Sequence, residues 1–141
     1  MSPRAFVDSD VIIASLLTPK GASAALLERS DCTFCISNVS RTELGIVAAE
    51  LHIDKKRLVR TIAKQFFLVV LKQYISTIKQ RYSQYVRDVD DAHIVAGARA
   101  GKVQFLVTYN QKHFRGEKIK HDLDIVVLTP ALFLQYLRSR N

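Results

Sequence analysis

The chain has 141 residues, a formal net charge of +8 and 48% hydrophobic residues, with few Gly and Pro and no low-complexity stretch. That size and balance fit one folded domain spanning residues 1–141 with a core of its own, and exclude a disordered or repetitive chain. The longest apolar run, Phe66 to Leu71, is too short to span a bilayer, and "MSPRAFVDSD" meets an acidic pair before any long apolar region; no signal peptide, no membrane partner and a cytoplasmic location are expected.

In chain order, Ala5 to Val7 reads as a short buried strand, followed by helices over Val11 to Leu17 and Ala22 to Arg29, broken at "TPKG". Cys32 to Ile36 reads as a second strand. Ser37 or Ser40 offers the N-cap of a helix reaching about Glu50, with Ser40 and Glu43 spaced as a capping box. Asp54 caps a further helix, "DKKRLVRTIAKQF", and "FLVVL" makes a third strand. An amphipathic helix over Ile75 to Tyr85 leads to "RDVDDAHIVAGA", whose Ala92 to Ala100 portion is helical. "VQFLVTYN" and "LDIVVLTP" complete the strands, and Thr129 or Pro130 opens a last helix to about Leu137. Short apolar strands alternating with helices predict a three-layer α/β/α sandwich around a mostly parallel sheet of about five strands.

Cys32 and Cys35 form one C-x-x-C within an apolar strand. A zinc site lacks its second ligand pair, and a redox motif belongs at a strand-to-helix junction, so both cysteines read as small core residues.

Parallel α/β sheets place ligands at the carboxyl ends of their strands. There the pattern puts Asp8 and Asp10 after the first strand, Glu43 in the helix after the second, Asp88, Asp90 and Asp91 before the fourth, and Thr108 and Asn110 at the end of the fourth. Each carboxylate has a bland reading alone: an N-cap is favoured by about 0.3–1 kcal/mol through the helix dipole, and Glu43 can close its capping box. A helix needs only one cap, so five aspartates at two helix starts exceed the need. Carboxylates brought together repel unless a cation lies between them, and oxygen-only donors select hard ions such as Mg²⁺ or Mn²⁺. Those six acids removed from a net +8 leave the rest of the chain at +14, a field suited to a polyanion, RNA or DNA, rather than a small metabolite.

With these residues in place, the sequence resembles the PIN-domain ribonucleases, and especially the VapC-like toxins of prokaryotic toxin–antitoxin pairs. "FVDSDVIIASL" is similar to the family's opening strand and first acid, and "ISNVSRTELG" to its glutamate motif. "DVDDAHIVAGARAGKVQFLVTYNQKHF" resembles its D-A-x-I-x-A-x-A helix and following L-V-T-x-[DN]-x-x-x-F strand. The resemblance implies a metal-dependent endoribonuclease, commonly dimeric, with an antitoxin protein as partner and Mg²⁺ or Mn²⁺ as cofactor. It places the catalytic acids at Asp8, Glu43 and Asp91, and Asn110 at the fourth metal position, where Asp is commoner. Asp88, one helical turn before Asp91, joins the metal ligands by the same resemblance. Asp10 and Thr108 are supporting residues, Thr108 as a hydrogen-bonding group for a ligand or a bound water. Asn110 keeps an oxygen donor but removes a charge, which weakens a second metal site more than the first.

Other residues keep a structural reading. Asp90 reads as solvent-facing or a cap, His93 as structural, and His113 as packing or surface rather than site. Tyr74, Tyr82 and Tyr85 read as a core or dimer face. Arg41, Lys112, Arg115, Lys118 and Lys120 flank the expected rim and are candidate RNA contacts. Two alternatives stand beside the nuclease. "FVDSDV" also fits the D-x-D-x-[TV] loop of haloacid-dehalogenase-type phosphatases, with Asp8 as nucleophile and Asp10 as general acid, although Lys112 then follows the aspartate pair it should precede. The other is a PIN-like module that binds RNA or protein without cutting.

Overall fold

Successive residues of a strand face opposite sides of a sheet, so strands apolar at every position must be covered on both faces. In the computed structural model, which describes residues 2–140, β1 (Arg4–Val7), β2 (Thr33–Ser37), β3 (Phe66–Val69), β4 (Phe105–Val107) and β5 (Val126–Leu128) form such a sheet. All pairings are parallel and the order is β3-β2-β1-β4-β5. The helices are α1 (Ser9–Leu17) and α2 (Ala22–Leu27) after β1, and α3 (Asn38–Glu50) and α4 (Lys55–Gln65) after β2. They continue with α5 (Ile75–Tyr82) and α6 (Ala92–Ala100) after β3, α7 (Gly116–Leu123) after β4 and α8 (Pro130–Arg138) after β5. Residues 1 and 141, the ends of the expected domain, lie outside the described residues.

Two cores follow from the strand alternation. Ala5, Val7, Phe34, Ile36 and Val107 point to one side, against Ile12, Leu26, Leu44 and Phe133 of α1, α2, α3 and α8. Phe6, Cys35 and Leu106 point to the other, against Ile78, Val95 and Ile119 of α5, α6 and α7. The expected three-layer α/β/α sandwich is the observed one. Among the described residues, no helix is long and apolar enough to cross a membrane.

Local chemistry sets the element ends. The Ser37 hydroxyl accepts the Ser40 N–H at 3.0 Å, so Ser37 caps α3, and the alternative capping box of Ser40 and Glu43 is not used. Asp54 accepts the Lys56 N–H at 3.1 Å, and Thr129 caps α8 with Pro130 in its first turn. The helix expected to reach Tyr85 ends at Tyr82 and gives way to a 3₁₀ turn over Ser83–Tyr85. Tertiary bonds draw the chain aside there: the Tyr85 carbonyl accepts the Arg115 N–H at 2.9 Å, and Val86 bridges to Phe114. Tyr82 and Tyr85 are core residues, whereas Tyr74 is 84% exposed. Cys32 precedes β2 rather than opening it, and the two buried, unbridged cysteines pack in opposite cores. Burial pushes the Cys32 thiol up to about 12 and raises Cys35 as well, so neither is a thiolate at neutral pH.

Gly97 positions the site. A Cβ there would lie 2.6 Å from the Phe6 ring of β1, so only a bare backbone lets α6 approach the sheet this closely. Through Asp91, that approach brings the start of α6 beside the end of β1.

Candidate active site

β1 and β4 are paired through Val7 and Val107, and the next residue on each, Asp8 and Thr108, stands at the carboxyl edge of the sheet. The Asp8 N–H still bonds the Val107 carbonyl at 2.9 Å, and the Thr108 hydroxyl donates to Asp8 Oδ2 at 2.9 Å. Asp8 sits at the N-cap position of α1, yet its side chain makes no capping bond. Burial, and then the Asp10 carboxylate, raise its pKa to about 6 despite the Thr108 hydroxyl.

Asp10, in the first turn of α1, accepts the Tyr109 N–H at 3.1 Å and the Asn110 side-chain amide at 3.0 Å, both on Oδ2. Its Oδ1 is buried and has no hydrogen-bond partner among the described residues. Burial raises its proton affinity too. Asn110 thus joins the site by donating to Asp10, and its backbone N–H bonds the Thr108 hydroxyl at 3.0 Å.

The aspartates of "DVDD" separate clearly. Asp88 is exposed, and its carboxylate accepts the Asp90 N–H at 3.0 Å, so Asp88 caps the 3₁₀ turn over Val89–Asp91. Asp90 is exposed and pairs with Lys79 at 3.0 Å; it is solvent-facing, and the cap lies two residues earlier. Asp91 sits at the start of α6 without a side-chain capping bond. Its proton affinity is raised by burial and by the charge of Asp8. The plain capping explanation therefore holds for Asp88 and fails for Asp8 and Asp91.

Glu43, on α3, directs both carboxylate oxygens at His93 Nε2, at 3.0 and 3.1 Å. His93 is a buried residue on α6 whose site contact the sequence does not reveal, because apolar neighbours on both sides hide a polar contact to a distant helix. His113 is exposed, yet its Nδ1 lies 3.7 Å from Asp91 Oδ2, closer to the acids than its surface reading implies. Among the described residues, no three His, Cys, Asp or Glu side chains are gathered closely enough to hold a metal ion: Glu43 is turned to His93 and Asp88 to its own turn.

The basic candidates are less uniform than their spacing suggests. Lys118 pairs with Asp122 at 3.3 Å and lies over the Tyr85 ring, and Lys120 pairs with Asp124, so both are engaged along α7. Arg41 lines an apolar groove of about 690 Å³ between α3 and α4, which contains none of the acids. Lys112 and Arg115 are exposed on the segment after Asn110. A smaller cleft of about 340 Å³ reaches Glu43 and His93 between Val39, Ile75, Ile78 and Val89.

The carboxylates suit a hard divalent ion. Asp10 presents a buried oxygen without a donor, Asp8 has its proton affinity raised by burial and by Asp10, Asp91 by burial and by Asp8, and oxygen donors predominate at the rim.

Comparison with solved structures gives the same fold. A toxin–antitoxin complex from Klebsiella pneumoniae matches with a TM-score of 0.62 at 22% identity, over 89% of this chain and 97% of that one. VapBC2 from Rickettsia felis, bound to a DNA fragment from its promoter, matches with a TM-score of 0.61 at 13% identity, over 89% and 98%. FitAB bound to an IR36 DNA fragment matches with a TM-score of 0.59 at 16% identity, over 89% and 94%. No curated protein matches the sequence significantly. The PIN-domain family model matches residues 4–112, a span that contains every acid of the site, and the chain belongs to the PIN-domain family.

Proposed function

We propose that this protein is a divalent-metal-dependent endoribonuclease of the toxin type, using Mg²⁺ or Mn²⁺ to hydrolyse RNA phosphodiester bonds. The observation that carries this reading is the approach of Asp8 and Asp91: residues from a strand end and a distant helix start, neither used as a cap, with the charge of Asp8 raising the proton affinity of Asp91. Family membership supports nuclease chemistry and removes the phosphatase alternative, in which Glu43 would have no role.

Asp8, Glu43 and Asp91 would hold the ion, with Asn110 at the outer edge through its amide oxygen and Asp88 reachable from its turn. A bound divalent ion supplies Lewis acidity toward a phosphodiester oxygen and lowers the pKa of an attacking water. Asp10 orients Asn110 and the Tyr109 backbone, and Thr108 fixes one Asp8 oxygen, while Asp10 Oδ1 stays buried without a hydrogen-bond partner among the described residues. Lys112 and Arg115, exposed after Asn110, are placed to meet an RNA backbone, and the +14 balance outside the acids draws a polyanion toward the negative rim.

The similar structures are toxin–antitoxin complexes, which supports an antitoxin protein as partner and a cytoplasmic place of action for the whole chain as one PIN domain. A homodimer is supported by the apolar surface at the β3 edge, where Phe67, Val70, Tyr74 and Ile75 are exposed. The test is cleavage of cellular RNA by wild type and Asp91→Asn, with Mn²⁺ or EDTA, and sequencing of the new ends. Cleavage leaving 5′-phosphates, lost in the variant and in EDTA, is expected. Cutting that persists in EDTA would remove the metal, and Mn²⁺ binding without any cutting would favour the non-catalytic binding module.

A further inference from the structure

His93 touches one acid of the site directly. It lies on α6 two residues after Asp91, is 6% exposed, and faces both oxygens of Glu43, which is carried by a different helix. The other ring nitrogen, Nδ1, is buried without a hydrogen-bond partner among the described residues. A histidine placed only to fill the core would not be expected to spend one nitrogen on a half-exposed carboxylate and leave the other unsatisfied, an arrangement that costs free energy. The cost is accounted for if the Glu43 contact has a use.

Glu43 needs such a contact. It projects from the middle of α3, its carboxylate is about half exposed, and its hydrogen-bond partner is His93. A free glutamate samples several rotamers, and ordering a side chain of this length costs conformational entropy. Asp8 is already fixed by Thr108, and Asp91 by its place at the start of α6.

We propose that His93 is a positioning residue whose Nε2–H holds the Glu43 carboxylate in one orientation, so that this acid is ordered before a divalent ion arrives. The inference rests on the metal-dependent reading above. Residues behind metal ligands commonly act this way, and their loss weakens metal binding about 10–100-fold.

The test uses Mn²⁺ titrated into the full chain by calorimetry, with melting in EDTA as a control for folding. His93→Leu keeps bulk and removes the donor; Mn²⁺ affinity should fall about 10–100-fold. His93→Gln places an amide N–H near the Nε2 position and should return affinity to near the wild-type value. Combining Glu43→Gln with His93→Leu should weaken binding little beyond Glu43→Gln alone, because His93 acts through Glu43. If His93→Leu does not fold, His93→Asn, whose amide is too short to reach Glu43, takes its place. Wild-type affinity in the donor-less variant, equal losses in the Leu and Gln variants, or additive losses in the double variant would each overturn the positioning role. A wild-type chain that binds no Mn²⁺ would instead overturn the metal-dependent reading and the inference with it.

Discussion

Thr108 donates its hydroxyl hydrogen to Asp8 Oδ2 at 2.9 Å, tying together the ends of two parallel strands at a fully buried position. The Thr108 hydroxyl oxygen in turn accepts the Asn110 N–H at 3.0 Å, so one hydroxyl organises three residues of the rim. Thr108→Val keeps the shape and leaves a buried carboxylate oxygen and a backbone N–H without their partner. Urea denaturation at pH 8 in EDTA should show a loss of about 1–3 kcal/mol, and Thr108→Ser should recover most of it. Equal stability of the Val variant and wild type would mean the hydroxyl does not support Asp8.

Asp8 also gives a pH signature. Its folded-state value, about 6, lies above its ordinary 3.8, so the folded protein binds this proton more tightly than the unfolded chain. That contribution to stability is fully present below about pH 3.8 and is lost as pH rises through about 6. Asp8→Asn cannot acquire the charge. In EDTA it should therefore be more stable than wild type by about 1–3 kcal/mol at pH 8, with the advantage vanishing near pH 3.5. Mn²⁺ should reverse the order at pH 8 by stabilising only the wild type. A pH-independent difference between the two proteins would sink this account.

How much of this was readable from the sequence depends on where the information lies. The strands, α6 and the capped helices α4 and α8 were legible because their signals are local: apolar runs, Asp54 and the Thr129–Pro130 pair. The helix α7 was not, since Ile119 is its one buried residue and the rest of "GEKIKHDL" carries no apolar stripe. At the site, the convergence of Asp8, Asp91 and Thr108 at one sheet edge followed from parallel topology alone. The partners did not. That Glu43 meets His93 across two helices, that Asp88 rather than Asp90 caps, and that His113 approaches Asp91 are tertiary facts with no spacing to announce them.

The closeness of α6 to the sheet should be sensitive to a single methyl group. At Gly97 an added Cβ would meet two atoms of the fully buried Phe6 ring at 2.6 and 2.7 Å, and the ring is enclosed by core on all sides. Gly97→Ala should cost about 1–3 kcal/mol in thermal or chemical denaturation despite the better helix propensity of Ala. Because Asp91 rides on the same helix, Mn²⁺ affinity should fall as well. Phe6→Leu in the Ala background should restore part of both losses by opening room for the methyl. An Ala variant as stable as wild type would show that α6 can shift without cost.

Asn110 sets the charge at the far edge of the rim. Its amide donates to Asp10 Oδ2 at 3.0 Å, and Asp10 lies two positions beyond Asp8, whose proton affinity it already raises. Asn110→Asp replaces that donor by a second carboxylate facing the first. Without metal the two repel, and the melting temperature in EDTA at pH 8 should drop by several degrees, the equivalent of about 1 kcal/mol in a domain of this size. With metal the added charge becomes an asset, because hard ions bind more tightly as ligand charge rises. Calorimetric titration should then show tighter Mn²⁺ binding, or a second ion bound, and a larger stabilisation at saturating Mn²⁺ than wild type shows. Weaker Mn²⁺ binding in Asn110→Asp would place Asn110 outside the ion's reach and assign it solely to holding Asp10.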